Sequence, residues 1–111
     1  VAKVKVEDNI VNGEAYAWRS MNYSTIDPEF HLRFKFKING REFDIERKLN
    51  ERELFWDKEK MANVNNIEGW LRDLAKSVML YYALKVFSIS VYEEVAKSPM
   101  PKEFFDKILK S

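Results

Sequence analysis

The sequence predicts an α+β fold: an antiparallel sheet of about four strands, with a β-hairpin over residues 30–48 at its centre, packed against C-terminal helices. In the first half of the chain apolar residues recur at every second position, the period of a strand with one buried face. In the second half they recur at the spacing of an amphipathic helix. The length of 111 residues fits one domain, residues 1–111, with strands mainly over 1–48 and helices mainly over 50–110.

The first two predicted strands precede the hairpin. Residues 2–7 alternate small apolar residues with lysine and glutamate, which indicates a half-buried strand. Residues 8–13 are rich in turn formers, including Gly13, so we expect a loop there. Residues 14–23 are rich in aromatic side chains and predict a second strand, which ends before Asp27 and Pro28 because the residue before a proline disfavours helix.

The hairpin has the clearest pattern in the chain. Apolar residues occupy the even positions from 30 to 38, and Asn39-Gly40 is the preferred pair for a two-residue type I′ turn. With that turn, facing residues have numbers that sum to 79. This register places three opposite-charge pairs on one face and two apolar pairs on the other. The pairs are Lys37 with Glu42, Lys35 with Asp44, Arg33 with Glu46, Phe36 with Phe43 and Phe34 with Ile45.

The second half of the chain predicts helices. Asn50 begins a capping-box pattern for a short helix to about residue 60, and Asn65 begins the same pattern for a longer one. The longer helix carries an apolar stripe that we expect to pack on the apolar face of the sheet: Ile67, Trp70, Leu71, Leu74, Val78, Tyr81 and Tyr82. The stripe rotates after residue 83, which predicts a break near 84–86. Residues 84–95 fit a helix or a strand, and a last helix should carry Phe104, Phe105, Ile108 and Leu109.

Composition narrows the class of protein. The chain has 19 Lys and Arg against 18 Asp and Glu, so its net charge of +1 provides no overall field for a polyanion or an anionic membrane. It contains no cysteine, which excludes disulfides and thiol chemistry. The most apolar stretch, residues 78–91, is too short to span a bilayer. With no apolar leader visible, we expect a cytoplasmic protein.

The sequence contains three candidates for a catalytic or metal site. His31 is the only histidine, and the hairpin register places it on the polar face opposite Lys48, where we expect a solvated or weakly paired ring. Asp27, Glu46 and Lys48 are similar to the metal-binding pattern of restriction-type nucleases, but Asp27 is expected before the strand. Glu42, Asp44 and Glu46 are spaced roughly 6.8 Å apart along one strand, too far to share one ion. We therefore predict no catalytic residue, metal or cofactor.

Function is predicted from what remains after these exclusions. The chain has eight Phe, five Tyr and three Trp, more than one small core is expected to absorb, and surface aromatics commonly anchor protein interfaces. We predict a non-enzymatic protein-binding module with interface candidates Tyr16, Trp18, Tyr23 and Trp56. Small α+β proteins of this composition occur among viral and mobile-element accessory proteins. The partner is expected to be another protein, and a homo-oligomer is left open.

Nucleic-acid binding is the alternative function. Arg33, Lys35 and Lys37 form a basic stripe on one strand, and Tyr16 and Trp18 on another strand are suited to stack on bases. The acidic return strand of the hairpin opposes this stripe. A metal-dependent nuclease ranks third.

Overall fold

The computed structural model describes residues 2–22, 27–50 and 64–88, which form an antiparallel sheet covered on one face by a helix. The strands follow one another in space in chain order, so the sheet is a simple meander. The α+β prediction with about four strands is confirmed for these residues. The elements are β1 (Ala2–Glu7), β2 (Asn12–Asn22), β3 (Asp27–Ile38), β4 (Arg41–Asn50) and α1 (Val64–Phe87).

The β3–β4 hairpin has the predicted register. Lys35 lies opposite Asp44 and Phe36 opposite Phe43, and the turn residues Asn39 and Gly40 both have positive φ, at 51° and 79°. Two consecutive positive φ values define the type I′ turn, whose twist matches that of the flanking strands. The turn sequence therefore fixes which side chains share each face of these two strands.

Strand β2 begins earlier than the sequence predicts. Turn-forming residues suggested a start at Glu14, but β2 begins at Asn12 and its Gly13 pairs with Phe36 of β3. A Cβ on Gly13 would lie 2.4 Å from the Lys35 carbonyl oxygen and 2.6 Å from Phe36 Cβ. Gly13 is therefore a strand residue at a close approach of two backbones, which is the other common reason for glycine besides a turn.

The core lies between the sheet and α1, and its buried side chains form one continuous cluster. On the inner face of the sheet, β1 and β2 contribute small residues such as Val4, Ala15 and Ala17, whereas β3 contributes Phe34 and Leu32. The helix runs closest to β1 and β2. Small side chains there leave room for the helix backbone to approach, and the large side chains of β3 fill the space beside it.

Helix α1 buries the predicted stripe. Leu71, Leu74 and Val78 are at most 1% exposed, and Trp70 packs edge-on against Phe30 with ring centroids 6.0 Å apart. Near the other end of the helix, Tyr82 packs against Phe36 and Phe43 of the hairpin. The sequence prediction that this stripe faces the apolar side of the sheet is confirmed.

The helix ends at Phe87, one residue beyond the predicted break. Ser88 has a φ of 55°, and its amide donates to the Leu84 carbonyl at 3.1 Å, which closes the last turn. The strand alternative is therefore wrong for residues 84–87.

Residues 89–95, the short helix predicted after Asn50 and the last predicted helix lie outside the described residues. Asn50 itself is the last residue of β4. Within the described ranges no helix is long and apolar enough to cross a membrane.

Candidate functional site

The face of the sheet opposite α1, called the open face below, carries most of the polar residues of the four strands. Along each strand the charges mostly share one sign, and neighbouring strands have opposite signs, as in the row Lys5, Glu14, Lys35 and Asp44. Over residues 2–20 and 29–48, basic and acidic side chains on this face are equal in number. The basic ones are Lys3, Lys5, Arg33, Lys35, Lys37 and Lys48, and the acidic ones are Glu7, Glu14, Glu29, Glu42, Asp44 and Glu46.

Arg33 and Asp44 form the best-defined ion pair on the open face. Arg33 donates from Nε to Asp44 Oδ1 at 3.0 Å and from Nη2 to Oδ2 at 2.8 Å. These hydrogen bonds lower the pKa of Asp44 and raise the pKa of Arg33. The residue directly opposite Arg33 is Glu46, as predicted, but the guanidinium reaches the diagonal neighbour instead. Diagonal residues lie within reach of long side chains in an antiparallel pair.

Tyr16 is half-buried on the open face and is held by its neighbours. Its hydroxyl donates a hydrogen bond to Glu14 Oε2, and Lys3 Nζ lies 5.6 Å from the ring centroid. The same lysine lies 3.9 Å from Glu14 Oε1. The hydrogen bond from Tyr16, assisted by Lys3, lowers the pKa of Glu14, and the same bond raises the pKa of Tyr16.

Trp18 stacks on His31 on the next strand of the open face. Their ring centroids are 5.0 Å apart with planes only 6° from parallel, and the His31 side chain is 12% exposed. His31 Nε2 lies 2.7 Å from Ser20 Oγ and 3.9 Å from Glu29 Oε2, and Lys48 Nζ lies 3.6 Å from the same Glu29 oxygen. The histidine is thus covered and hydrogen-bonded, where the sequence predicted a solvated or weakly paired ring.

The Ser20, His31 and Glu29 grouping contains the residue types of a nucleophilic triad without its geometry. In such a triad the acid holds one ring nitrogen while the other nitrogen faces the serine. Here Ser20 and Glu29 both approach Nε2. Ser20 was not predictable, because the 23–26 connection between β2 and β3 lacks a two-residue turn signature that would set the register of β2. Glu29 lies two residues before His31 on β3, so the alternation of that strand already places it on the same face.

The basic residues of the nucleic-acid alternative lie on the same face as the aromatic ones. Arg33, Lys35 and Lys37 occupy β3, next to Tyr16 and Trp18 on β2. Stripes of acidic residues flank them, since Lys35 lies between Glu14 on β2 and Asp44 on β4. The basic stripe is therefore partly neutralised on both sides.

In the nuclease pattern, Asp27 lies far from Glu46. Asp27 is the first residue of β3, so the expectation that it precedes the strand is wrong. Glu46 lies opposite Arg33, six residues further along β3, which separates the two positions by about 20 Å. Within the described ranges, no group of three His, Asp or Glu side chains is placed to hold a metal ion.

A shallow depression lies beside the tip of the β3–β4 hairpin. Its volume is about 570 Å³, and charged residues line much of it, including Lys35, Lys37, Glu42 and Asp44. Small-molecule sites are usually concave and mostly apolar. The depression is open and polar, so it does not resemble such a site.

Two of the four predicted interface residues, Tyr16 and Trp18, lie two positions apart on the open face, outside the buried core. Tyr23 and Trp56 lie outside the described residues. Comparisons with protein-family models, with curated proteins and with solved structures gave no match.

Proposed function

We propose that this protein is a non-enzymatic binding module that acts through protein–protein contacts and that the open face is its contact surface. One observation carries the proposal: Tyr16 and Trp18 project from the side of the sheet that the helix does not cover, outside the core cluster. Large aromatic side chains there are available to a partner, and residues of this kind dominate the energy of protein interfaces.

The two aromatic side chains are already ordered by their neighbours. Trp18 is stacked on His31, and Tyr16 is hydrogen-bonded to Glu14. Ordering a side chain on binding costs conformational entropy, so a fixed ring loses less when a partner covers it. This arrangement favours a surface that binds without rearrangement.

The rows of alternating charge on the open face affect which class of partner it can bind. Because basic and acidic residues balance on the open face, the surface favours neither a polyanion nor a polycation. A protein surface with complementary rows of charge would be attracted to the open face, and a surface that places like charges opposite one another would be repelled. The aromatic pair with a charged surround resembles the apolar centre and polar rim of protein interfaces.

Location and origin belong to the same proposal. The absence of cysteine suits a reducing compartment such as the cytoplasm. An accessory role in a virus or mobile element is proposed by analogy with other small α+β proteins of this composition.

Affinity capture from the native host tests the proposal. The wild-type protein is compared with the Tyr16→Ala/Trp18→Ala variant and with a control, Lys85→Ala/Val86→Ala, which changes two exposed residues of α1. We expect a protein partner that the wild type and the control retain and that the aromatic variant loses. Equal capture by all three proteins would count against the open face.

Nucleic-acid binding is the second candidate because Arg33, Lys35 and Lys37 share the open face with Tyr16 and Trp18. Fluorescence anisotropy with labelled single-stranded and duplex DNA distinguishes the two functions. Binding that weakens steeply with salt and is lost in a Lys35→Glu/Lys37→Glu variant would favour this candidate. Anisotropy that does not change at low salt would exclude it.

A further inference from the structure

We propose that copies of this protein associate edge to edge, with β1 of one copy pairing antiparallel to β4 of the next. The inference goes beyond the proposed function, because it uses the two edges of the sheet and requires neither Tyr16 nor Trp18 as an anchor. Within the described sheet, β1 and β4 are the outer strands, and their directions continue the antiparallel alternation when β1 of a second copy follows β4.

On the two edge strands, the charged residues of the open face are also the residues whose backbone N–H and C=O groups point outward past the edge of the sheet. In an antiparallel ladder, hydrogen-bonded and non-hydrogen-bonded pairs alternate. Ile38 and Arg41 flank the two-residue turn as a hydrogen-bonded pair, so the N–H and C=O groups of Glu42, Asp44 and Glu46 point outward. On β1, the Asp8 amide donates to the Val11 carbonyl at 2.8 Å, so Asp8 and Val11 are a hydrogen-bonded pair. Because such pairs alternate along the strand, the backbone groups of Lys3 and Lys5 point outward.

The outward positions carry opposite net charges on the two edges, since β1 has Lys3, Lys5 and Glu7 and β4 has Glu42, Asp44, Glu46 and Lys48. Lys3 and Lys5 on β1 are exposed, as are Glu42, Asp44 and Glu46 on β4. Two β1 edges would bring two positively charged edges together, and two β4 edges would bring two negatively charged edges together, although Glu7 and Lys48 would form opposite-charge pairs in some registers. Like charges directly opposite one another destabilise a strand pair. The net charges of the outward positions are opposite in sign only between β1 and β4, so charge favours the pairing of unlike edges.

One register satisfies both faces of the extended sheet. When Lys5 of the second copy lies beside Asp44, Lys3 lies beside Glu46, and the row Lys5, Glu14, Lys35 and Asp44 continues with its signs alternating. On the inner face the same register places Val4 beside Ile45 and Val6 beside Phe43. Phe43 is only partly buried within one copy, so Val6 of the next would cover apolar surface.

Other registers are poorer. A slip by one residue moves the charged side chains to the inner face. A slip by two residues in one direction brings Lys3 beside Lys48, and a slip by two residues in the other direction brings Val6 beside Arg41. The favoured register contains one like-charge contact, Glu7 beside Glu42, and Lys37 on the neighbouring strand lies opposite Glu42 to offset it.

The resulting assembly is head-to-tail. Each copy keeps a basic edge and an acidic edge after pairing, so further copies add at both ends unless the rotation closes a ring. The Glu46 carbonyl already accepts a hydrogen bond from Arg47 Nη1 at 2.8 Å, which engages one of its two lone pairs and moderates pairing at that position.

Sedimentation velocity at low salt tests the proposal with charge swaps. We expect the mass of the wild-type protein to rise with concentration, and Lys3→Glu or Glu46→Lys alone to weaken association roughly fivefold, the upper range for one cross-strand pair. The Lys3→Glu/Glu46→Lys double variant should return to near wild-type association. In one copy these positions lie three strands apart, about 14 Å, so the rescue must arise between copies.

Lys5→Pro is the second variant, because it removes an outward-pointing N–H from an edge strand, where proline is tolerated. It should be folded by circular dichroism and monomeric at all concentrations. A wild-type protein that stays monomeric up to millimolar concentration, a double variant as weak as the single ones, or a Lys5→Pro variant that associates normally would each overturn the proposal.

Discussion

Among the three glycines, Gly13 has the most crowded surroundings. A Cβ there would meet the Lys35 carbonyl oxygen and Phe36 Cβ at 2.4 and 2.6 Å, whereas a Cβ on Gly69 in α1 would meet nothing within 4 Å. Gly13→Ala should therefore destabilise the fold by about 1–3 kcal/mol through overpacking. Gly69→Ala should stabilise it by about 0.5–1 kcal/mol through helix propensity. Urea denaturation measures both, and a neutral Gly13→Ala would contradict the close approach.

The hydrogen bond between Tyr16 and Glu14 predicts two linked titrations. The bond lowers the pKa of Glu14, so its contribution to stability is present above the ordinary carboxyl pKa and is lost as pH falls through the lowered one. It raises the pKa of Tyr16, so its contribution is present below the ordinary phenol pKa and is lost as pH rises through the raised one.

Replacing Tyr16 by phenylalanine should move the pKa of Glu14 back toward its ordinary value, although Lys3 continues to lower it. Replacing Glu14 by glutamine should lower the pKa of Tyr16 in the same way. NMR titration of the two side chains measures these shifts. A Glu14 pKa that does not respond to Tyr16→Phe would show that the hydrogen bond is absent in solution.

At the scale of elements, the β3–β4 hairpin depends on its turn. Gly40 has a φ of 79°, a conformation that a β-branched residue resists. Gly40→Val should therefore lower stability, although a Cβ at this position has open space around it. Thermal denaturation should show a lower melting temperature, and Gly40→Asn should retain most of the stability because asparagine tolerates positive φ.

Helix α1 is held mainly by its buried stripe. Leu74 is 1% exposed, so Leu74→Ala should cost roughly 2–5 kcal/mol by removing buried methyl groups and leaving a cavity. Lys76 lies two residues further along the helix and is exposed, with its ammonium 3.9 Å from Asp8. Lys76→Ala should change stability by less than about 0.5 kcal/mol. Similar values for both variants in chemical denaturation would mean that the stripe is not the packing surface.

The sequence predicted elements well where a local signal set their geometry. Asn39-Gly40 and the alternating charges specified the register of the β3–β4 hairpin to the residue, and the apolar spacing identified the buried face of α1. Gly13 was interpreted as a turn residue because sequence alone does not distinguish a turn from a close approach of strands. The β2–β3 register depends on a longer connection, so the contact between Trp18 and His31 was not predictable.

At the scale of the molecule, the two faces of the sheet differ in composition and burial. The inner face and α1 form the core, while the open face carries balanced charges and two ordered aromatic side chains. The sequence predicted Tyr16 and Trp18 as interface residues, and the structure adds that they are neighbours on one face. The sequence predicted Lys48 opposite His31 but not the contact of Ser20 with the ring, because Ser20 lies on β2 and its position depends on the long-range pairing of β2 with β3.

The most direct test of the central claim is calorimetric titration of the purified partner with the wild-type protein, with Tyr16→Ala/Trp18→Ala and with Lys85→Ala/Val86→Ala. If the open face is the binding surface, the aromatic variant should lose at least about 2 kcal/mol, roughly thirtyfold in Kd, and remain folded. The α1 control should bind like the wild type. An unchanged Kd for a folded aromatic variant, or an equal loss in the control, would contradict the assignment of the open face.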